Sequence, residues 1–238
     1  MFHRSISLSI AIPAYNECQS LFGVVSCAIR AAGKITKNFE ILIVDDGSTD
    51  GTGKIADNLA KNNHHVFVIH HPKNLGFSGA IKTCYKKSKK DYIVLLPADG
   101  QIDPNDLSLF LAPIDHADVV VGYRITNPEP FYRRFNSKVF HIIFRLLYGV
   151  RLREISTSIL WRKTVIQNIL ITATPRSALI EPEVISKAWQ KGYRFAQIPV
   201  PYYPRSGGSP KGANILMMFE TFKELLRLWW DMRIRKTV

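Results

Sequence analysis

Hydrophobic and polar positions alternate in blocks along the first half of the chain. Residues 7–13 read as an apolar strand. From 19 to 32, Leu21, Val24, Val25, Ala28 and Ala32 recur at helical spacing, and Gly33 closes the run. Residues 39–45 (FEILIVD) form a continuous apolar run of the kind that a parallel sheet buries on both faces. The pattern then predicts a helix near 54–61, a strand at 66–70, a helix near 78–89, a strand at 92–96, a short helix at 106–111 and a strand at 119–122. Strands alternating with helices predict an α/β fold, with a mostly parallel sheet flanked by helices on both faces.

The second half is less regular. An aromatic and basic stretch (131–153) and a polar patch (154–158) lead to a predicted helix through 183–191. A Pro-rich strand-like segment (198–203) and a Gly-rich basic loop (205–212) follow. At the C-terminus Ile215, Met218, Phe219, Phe222, Leu225, Leu226 and Trp229 recur at helical spacing, with Arg227, Arg233, Arg235 and Lys236 among and after them. No internal repeat divides the chain. The expected organisation is therefore one domain over 1–212 with a basic amphipathic helix over 213–238.

In parallel sheets, ligands bind beyond the carboxyl ends of the strands. Three polar segments follow apolar strands here: 13–17, 45–52 and 97–104. In IVDDGSTDGT (43–52) two carboxylates stand where a buried strand meets a turn. They can accept hydrogen bonds from a base N–H or a ribose hydroxyl, or simply cap the turn and the next helix. Asp99, after the strand YIVLL, is a candidate ligand for magnesium or manganese, and Gln101 can add a neutral oxygen; an ordinary Asp-Gly turn is the plain reading. In IPAYNE (12–17), Tyr15 is placed to line a base pocket and Glu17 to bind ribose, with Asn16 as a helix cap the alternative. The two glycines of NLGFSGA (74–80) allow close backbone approach to a ligand, or begin a helix.

Charge narrows the partners. Lys and Arg number 32 against 19 Asp and Glu, a formal charge of +13, which points to an anionic partner. Nucleic acid is not expected, because no recognisable nucleic-acid module accompanies the charge. The three cysteines, Cys18, Cys27 and Cys84, are scattered, without a CxxC pair, and fit a reducing compartment such as the cytoplasm. No run approaches the roughly 20 apolar residues needed to span a bilayer, so membrane contact is expected to be peripheral or through a partner. Two amphipathic basic stretches, 139–148 and the C-terminal helix, suit a headgroup zone; covering the core or pairing in a dimer is the other use for such faces.

Taken together and in order, IPAYNE, IVDDGSTDGT, NLGFSGA and PADGQ resemble the family-2 glycosyltransferases with the GT-A fold. Within that family the chain is similar to the dolichyl- or polyprenyl-phosphate mannosyl- and glucosyltransferases. GYR (122–124), FYRRFNSK (131–138), REISTS (153–158) and RSGGSPKG (205–212) look like that group's phosphate-binding segments. The resemblance implies nucleotide binding by Pro13, Tyr15, Glu17, Val44 and Asp46, and a Mg2+ or Mn2+ ion with the donor diphosphate at Asp99 and Gln101. It implies that Arg124, Arg133, Ser137, Arg205 and Lys211 hold the donor diphosphate and the lipid phosphate, with Asp99, Arg124 and Arg205 closest to the chemistry. Glu183 is placed at the acceptor side. In two places the chain departs from the family pattern: Pro97 stands where an Asp is usual, and residues 154–159 replace an acidic-Pro-Thr-Ser-Gly-Phe segment.

The expected reaction moves a hexose, with inversion, from a nucleotide-diphosphate sugar to a polyprenyl or dolichyl phosphate, by a protein peripheral on the cytoplasmic face of a membrane. A phosphate acceptor is already anionic and needs no strong base, so positioning and charge stabilisation suffice. Three other readings compete. A sugar-hydroxyl acceptor would need a base, with Glu183 or Glu154 as candidates. A non-catalytic nucleotide-sugar-binding or membrane-scaffolding protein is suggested by Pro97. A nucleic-acid binder rests on charge alone. A homo-oligomer or a separate membrane partner fits any of the enzyme readings.

Overall fold

The structure, a computed structural model, describes residues 6–126, 129–155, 158–205 and 215–234, with only the backbone described in 215–220. Its strands are β1 (Leu8–Ala14), β2 (Phe39–Asp45), β3 (Val66–His70), β4 (Tyr92–Leu95), β5 (Val119–Arg124), β6 (Ile159–Arg162) and β7 (Phe195–Val200). They form one seven-stranded sheet in the order β3-β2-β1-β4-β6-β5-β7. Only β6 runs against its neighbours; β1 pairs parallel with β2 and β4, β2 with β3, and β5 with β7.

The apolar runs are continuous because each strand feeds two cores. Leu8, Ile10 and Ile12 of β1, with Ile41, Ile43 and Val94, face one layer that includes α1 (Leu21–Ile35), α2 (Thr52–Asn62) and α4 (Leu107–Leu111). Ala11, Leu42, Val44, Ile93 and Leu95 face the other layer. That layer holds α3 (Phe77–Lys87), α5 (Phe131–Tyr148), α6 (Lys163–Gln167), α7 (Ile180–Gln190) and α8 (Ile215–Arg233). Trp161 is fully buried there and packs edge-on against Tyr85. One polar pair sits inside this sandwich. Ser9 donates to Glu40 at 2.6 Å, and the Lys89 N–H donates to the same carboxylate, so the buried charge is solvated by the protein itself.

Several boundaries move. Gly33 does not end α1, which runs to Ile35 and is closed by the Thr36 N–H on the Ala32 carbonyl. The amphipathic stretch at 139–148 is the C-terminal part of a helix that begins eight residues earlier, at Phe131, after Pro130 at its N-cap with an extended backbone. The strand expected at 198–203 is instead Phe195–Val200, its register set by pairing Val119 with Phe195 and Arg124 with Val200. As an edge strand β7 tolerates Pro199. α8 docks through Leu225, Leu228 and Met232, all buried, and the Tyr148 hydroxyl of α5 donates to the Leu225 carbonyl at 2.6 Å.

Candidate active site

The carboxyl ends of β1, β2 and β4 deliver the three polar loops to one edge of the sheet, where a cleft of about 580 Å³ opens. Asn16, in the left-handed region at φ 52°, ties the first two loops together instead of capping a helix. Its N–H donates to Ser48 Oγ and its Oδ1 accepts from the Thr49 N–H, both at 2.9 Å. The Glu17 N–H donates to Thr52 Oγ1 at 2.8 Å. Gly47 is required at its place, since φ is +71° and a Cβ there would meet the Lys73 and Asn74 backbone at 2.7 Å.

The two adjacent carboxylates of β2 have separate tasks. Asp45 accepts from the Ser48 N–H at 3.1 Å and faces His70 Nδ1 at 2.9 Å. Burial pushes its carboxyl up, but these partners hold it below the ordinary value. Asp46 accepts from the Leu75 and Gly76 N–H groups, both at 2.9 Å, and lies 2.6 Å from His71 Nδ1. Three of its roughly four lone-pair sites are therefore used within the protein. Asp46 lines the cleft, yet its first action is to fasten the loop at 74–76 over it.

At the mouth of the cleft Arg205 lies across two carboxylates, with Nη2 2.6 Å from Glu17 Oε1 and Nη1 3.1 Å from Asp99 Oδ2. Asp99 Oδ1 accepts the Gln101 N–H at 3.0 Å. Burial raises the Asp99 carboxyl above its ordinary value, against the pull of the Gln101 N–H and Arg205. Pro13, Tyr15, Glu17, Asp46, Asp99, Gln101 and Arg205, seven of the residues singled out in the sequence, thus share one cleft.

Arg124 and Ser137 are placed beside the cleft, in a network behind Tyr202. Arg124 forms an ion pair with Glu154, its N–H donates to the same carboxylate at 2.7 Å, and Nη2 donates to Ser137 Oγ at 3.3 Å. Its guanidinium stacks 5.1 Å from the Tyr202 ring. Arg133 pairs with Glu129 at 3.0 Å in the first turn of α5. Lys211 lies outside the described residues, as do Ser156 and Thr157 of the polar patch.

Two expectations are corrected. The Val44 side chain is fully buried beneath the sheet and does not reach the cleft. Glu183 is no acceptor-binding residue and no base. It is 1% exposed, pairs with Lys187 at 2.7 Å, and accepts from the Thr172 N–H, the Thr172 hydroxyl and the Ala173 N–H. Glu154, the other candidate base, is held by Arg124.

Residues 9–170 match the sequence model of the family described as glycosyl transferase family 2. The chain belongs to that family. A polyprenol monophosphomannose synthase from Mycolicibacterium smegmatis is 30% identical over 220 residues, covering 87% of this chain and 82% of the relative. An undecaprenyl-phosphate 4-deoxy-4-formamido-L-arabinose transferase from Proteus mirabilis is 24% identical over 97% of this chain and 68% of its own length. Among solved structures, glucosyl-3-phosphoglycerate synthase from Mycobacterium tuberculosis, in complex with Mn2+, UDP-glucose and phosphoglyceric acid, superposes with a TM-score of 0.74. The match covers 94% of this chain and 80% of that chain at 15% identity, and it establishes the GT-A fold.

In this family 2 glycosyltransferase the cleft also takes in Ser158, the last residue of the REISTS segment, which arrives at the start of β6. Three of its residues were not singled out in the sequence: Tyr202, which follows β7, and Arg176 and Glu181, from the approach to α7 and its first turn. Gly76, at φ +90°, lets the loop at 74–76 pass close to Arg176, where a Cβ would come within 3.0 Å of its side chain and backbone. A second hollow of about 400 Å³ lies at the opposite ends of the strands, and its cations are engaged with the Asp118 carboxylate and the Lys89 carbonyl.

Proposed function

We propose that this chain transfers a hexose from a nucleotide-diphosphate sugar to a polyprenyl phosphate at a membrane surface, with inversion at the anomeric carbon. The observation that carries this reading is the Glu17–Arg205–Asp99 bridge in a cleft built from the three family loops. The name of the Mycolicibacterium relative supports the acceptor class. Pro13 and Tyr15 offer a surface for the base, and Glu17 a carboxylate for the ribose. Arg205 is placed to exchange its carboxylate partners for phosphate oxygens, which its planar fork matches. An anionic phosphate acceptor needs no base, in keeping with Glu183 and Glu154 both being engaged elsewhere.

The donor set suits a divalent ion carried in with the diphosphate. Among the described residues no cluster of three or more His, Cys, Asp or Glu side chains is arranged to hold a metal. Asp99 is a single carboxylate with Gln101 beside it, and Mg2+ is commonly held by one or two carboxylates with substrate phosphates completing its shell. Asp99 and Gln101 would hold the ion, which when bound supplies charge neutralisation at the departing diphosphate. Pro97 leaves Asp99 to make that contact without a second carboxylate from this loop.

Incubating the purified protein with Mg2+ or Mn2+, a panel of UDP- and GDP-hexoses and a polyprenyl phosphate is expected to yield a hexosyl-phosphoryl lipid. Transfer to a sugar hydroxyl with no lipid product from any donor would overturn the acceptor assignment.

Membrane attachment is proposed through α5 and α8, which pack against each other. Phe131, Phe135, Ile142 and Leu146 form an exposed stripe on α5, with Phe131 and Leu146 80% and 79% exposed. Phe222, Leu226, Trp230 and Ile234 form a second at α8. Arg134, Lys138 and Arg145 accompany the first stripe, and Lys223, Arg227 and Arg233 the second, a composition suited to anionic headgroups. No helix among the described residues is long and apolar enough to cross a membrane. The three cysteines are unpaired, which supports the cytoplasmic face. Leu146→Asp combined with Trp230→Asp is expected to weaken co-sedimentation with phosphatidylglycerol vesicles at least tenfold, while nucleotide-sugar binding persists. Unchanged sedimentation would remove these helices from the membrane contact.

A further inference from the structure

Glu181 stands in the first turn of α7, half-buried on the wall of the cleft, and has no hydrogen-bond or ion-pair partner among the described residues. Its neighbour two positions on, Glu183, is satisfied four times over. Positions i and i+2 of a helix point roughly 200° apart, so one carboxylate serves the core and the other the cleft. Ser158 lines the same cleft. It is 3% exposed, and its hydroxyl is buried without a hydrogen-bond partner among the described residues. Two uncommitted oxygen groups therefore face a space already bounded by charged and aromatic residues with other partners.

We infer that Glu181 and Ser158 form the sugar subsite of the cleft and hydrogen-bond the hydroxyls of the hexose being transferred. The inference rests on the transferase reading above and adds the residues that recognise the sugar. Chemistry separates the regions of the cleft. Arg205 carries the positive charge that a diphosphate needs, and Tyr15 and Pro13 offer an aromatic ring and an apolar surface. A neutral carboxyl and a hydroxyl can each both donate and accept, which matches the hydroxyls of a sugar, and the carboxyl disfavours a phosphate beside it. Ala80 and Ile81 supply an apolar wall for the C–H face of a pyranose.

Burial raises the Glu181 carboxyl to about 8, so at neutral pH it is mainly protonated and can donate as well as accept. The titratable groups around it are Tyr85 on α3, Arg176 ahead of α7 and, lining the same cleft, Tyr15, Glu17, Asp46, Asp99, Tyr202 and Arg205. On its own helix Glu183 and Lys187 neutralise each other. Tyr85 lies close enough that, after burial, the Glu181 charge is the next cause of its raised phenol. A neutral carboxyl also spares the anionic donor and acceptor a negative charge between them. Above about pH 8 that advantage is lost.

The test compares two ligands by calorimetry: the UDP- or GDP-hexose that supports transfer, and the corresponding nucleoside diphosphate. Glu181→Ala is expected to weaken the nucleotide sugar about tenfold and Ser158→Ala about threefold, with the nucleoside diphosphate unaffected in both. Glu181→Gln keeps a donor and an acceptor. It should lower kcat/KM about threefold and lack the fall in activity that is expected of the wild type near pH 8. The carboxyl is raised on folding, so wild-type stability declines as pH rises from the ordinary carboxylate range to about 8. Glu181→Gln should lack that decline, and its melting curve at pH 9 verifies that it is folded.

Equal weakening of both ligands would overturn the sugar assignment. A loss of more than about a hundredfold in kcat for Glu181→Gln, with sugar binding intact, would overturn it differently, making Glu181 a general base for a hydroxyl acceptor. A wild-type protein that binds no nucleotide sugar would overturn the transferase reading itself, and the subsite with it.

Discussion

Asp99→Ala is expected to lower hexose transfer by about 10²–10³-fold, roughly 3–4 kcal/mol of transition-state stabilisation, with little change in the melting temperature. The substitution removes the carboxylate that accepts the Gln101 N–H, and with it one of the two anionic partners of Arg205. Asp99→Asn is the sharper variant. It can still accept the Gln101 N–H, so loop geometry persists while the charge is lost. Single-turnover rates with saturating nucleotide sugar measure the effect, and both variants should fall together. A rate within tenfold of wild type in either would show that Asp99 holds the loop and contributes nothing to the chemistry.

Glu183→Ala has the largest expected effect on stability, a loss of about 3–5 kcal/mol, set against a total of roughly 5–15 kcal/mol for a domain. The pair with Lys187 is almost completely buried, so removing one partner strands an ammonium among apolar neighbours. The Thr172 N–H, the Thr172 hydroxyl and the Ala173 N–H lose their acceptor as well, leaving Lys187 with the Leu170 carbonyl. Urea unfolding should show the midpoint drop at constant m-value. Replacing both residues together, Glu183→Leu with Lys187→Met, should recover much of the loss, because it leaves no buried charge behind. A loss below about 1 kcal/mol for Glu183→Ala would contradict the burial.

The two glutamates of α7 mark where the sequence stopped being legible. Helical periodicity located the element, but periodicity does not say which of two acidic residues faces a core and which a cleft. The groups that satisfy Glu183 include the N–H groups of Thr172 and Ala173, supplied by a loop with no pattern of its own. β1, β2 and β4 were legible because strands buried on both faces must be apolar throughout, and the loops after them follow from the sheet's direction. β6 was not. It has four residues, runs antiparallel, and enters between β4 and β5, a placement set by partners 65 or more residues away in Tyr92–Val94 and about 40 residues away in Val119–Val121. Ser158 was read only as part of a phosphate-binding segment; its place in the cleft follows from β6, since an antiparallel strand brings its beginning, not its end, to the active edge. Asp46 was found, but its bonds to Leu75 and Gly76 depend on a contact spanning 29 and 30 positions. Arg205 was recognised as cationic, whereas its bridge to Glu17, 188 residues away, is a product of folding.

With Arg205 lying across Glu17 and Asp99, the cleft carries its own counterion. Two acids and one guanidinium sum to a single negative charge, so a bare divalent cation meets a weak attraction and an occupant that never deprotonates. A nucleoside diphosphate alters the balance, because its oxygens compete for the guanidinium and release carboxylate lone pairs. On the proposed reaction, ordered kinetics are the expected consequence: the nucleotide sugar would lead, a divalent ion would enter with it or after it, and stray cations would find little purchase until a donor had arrived.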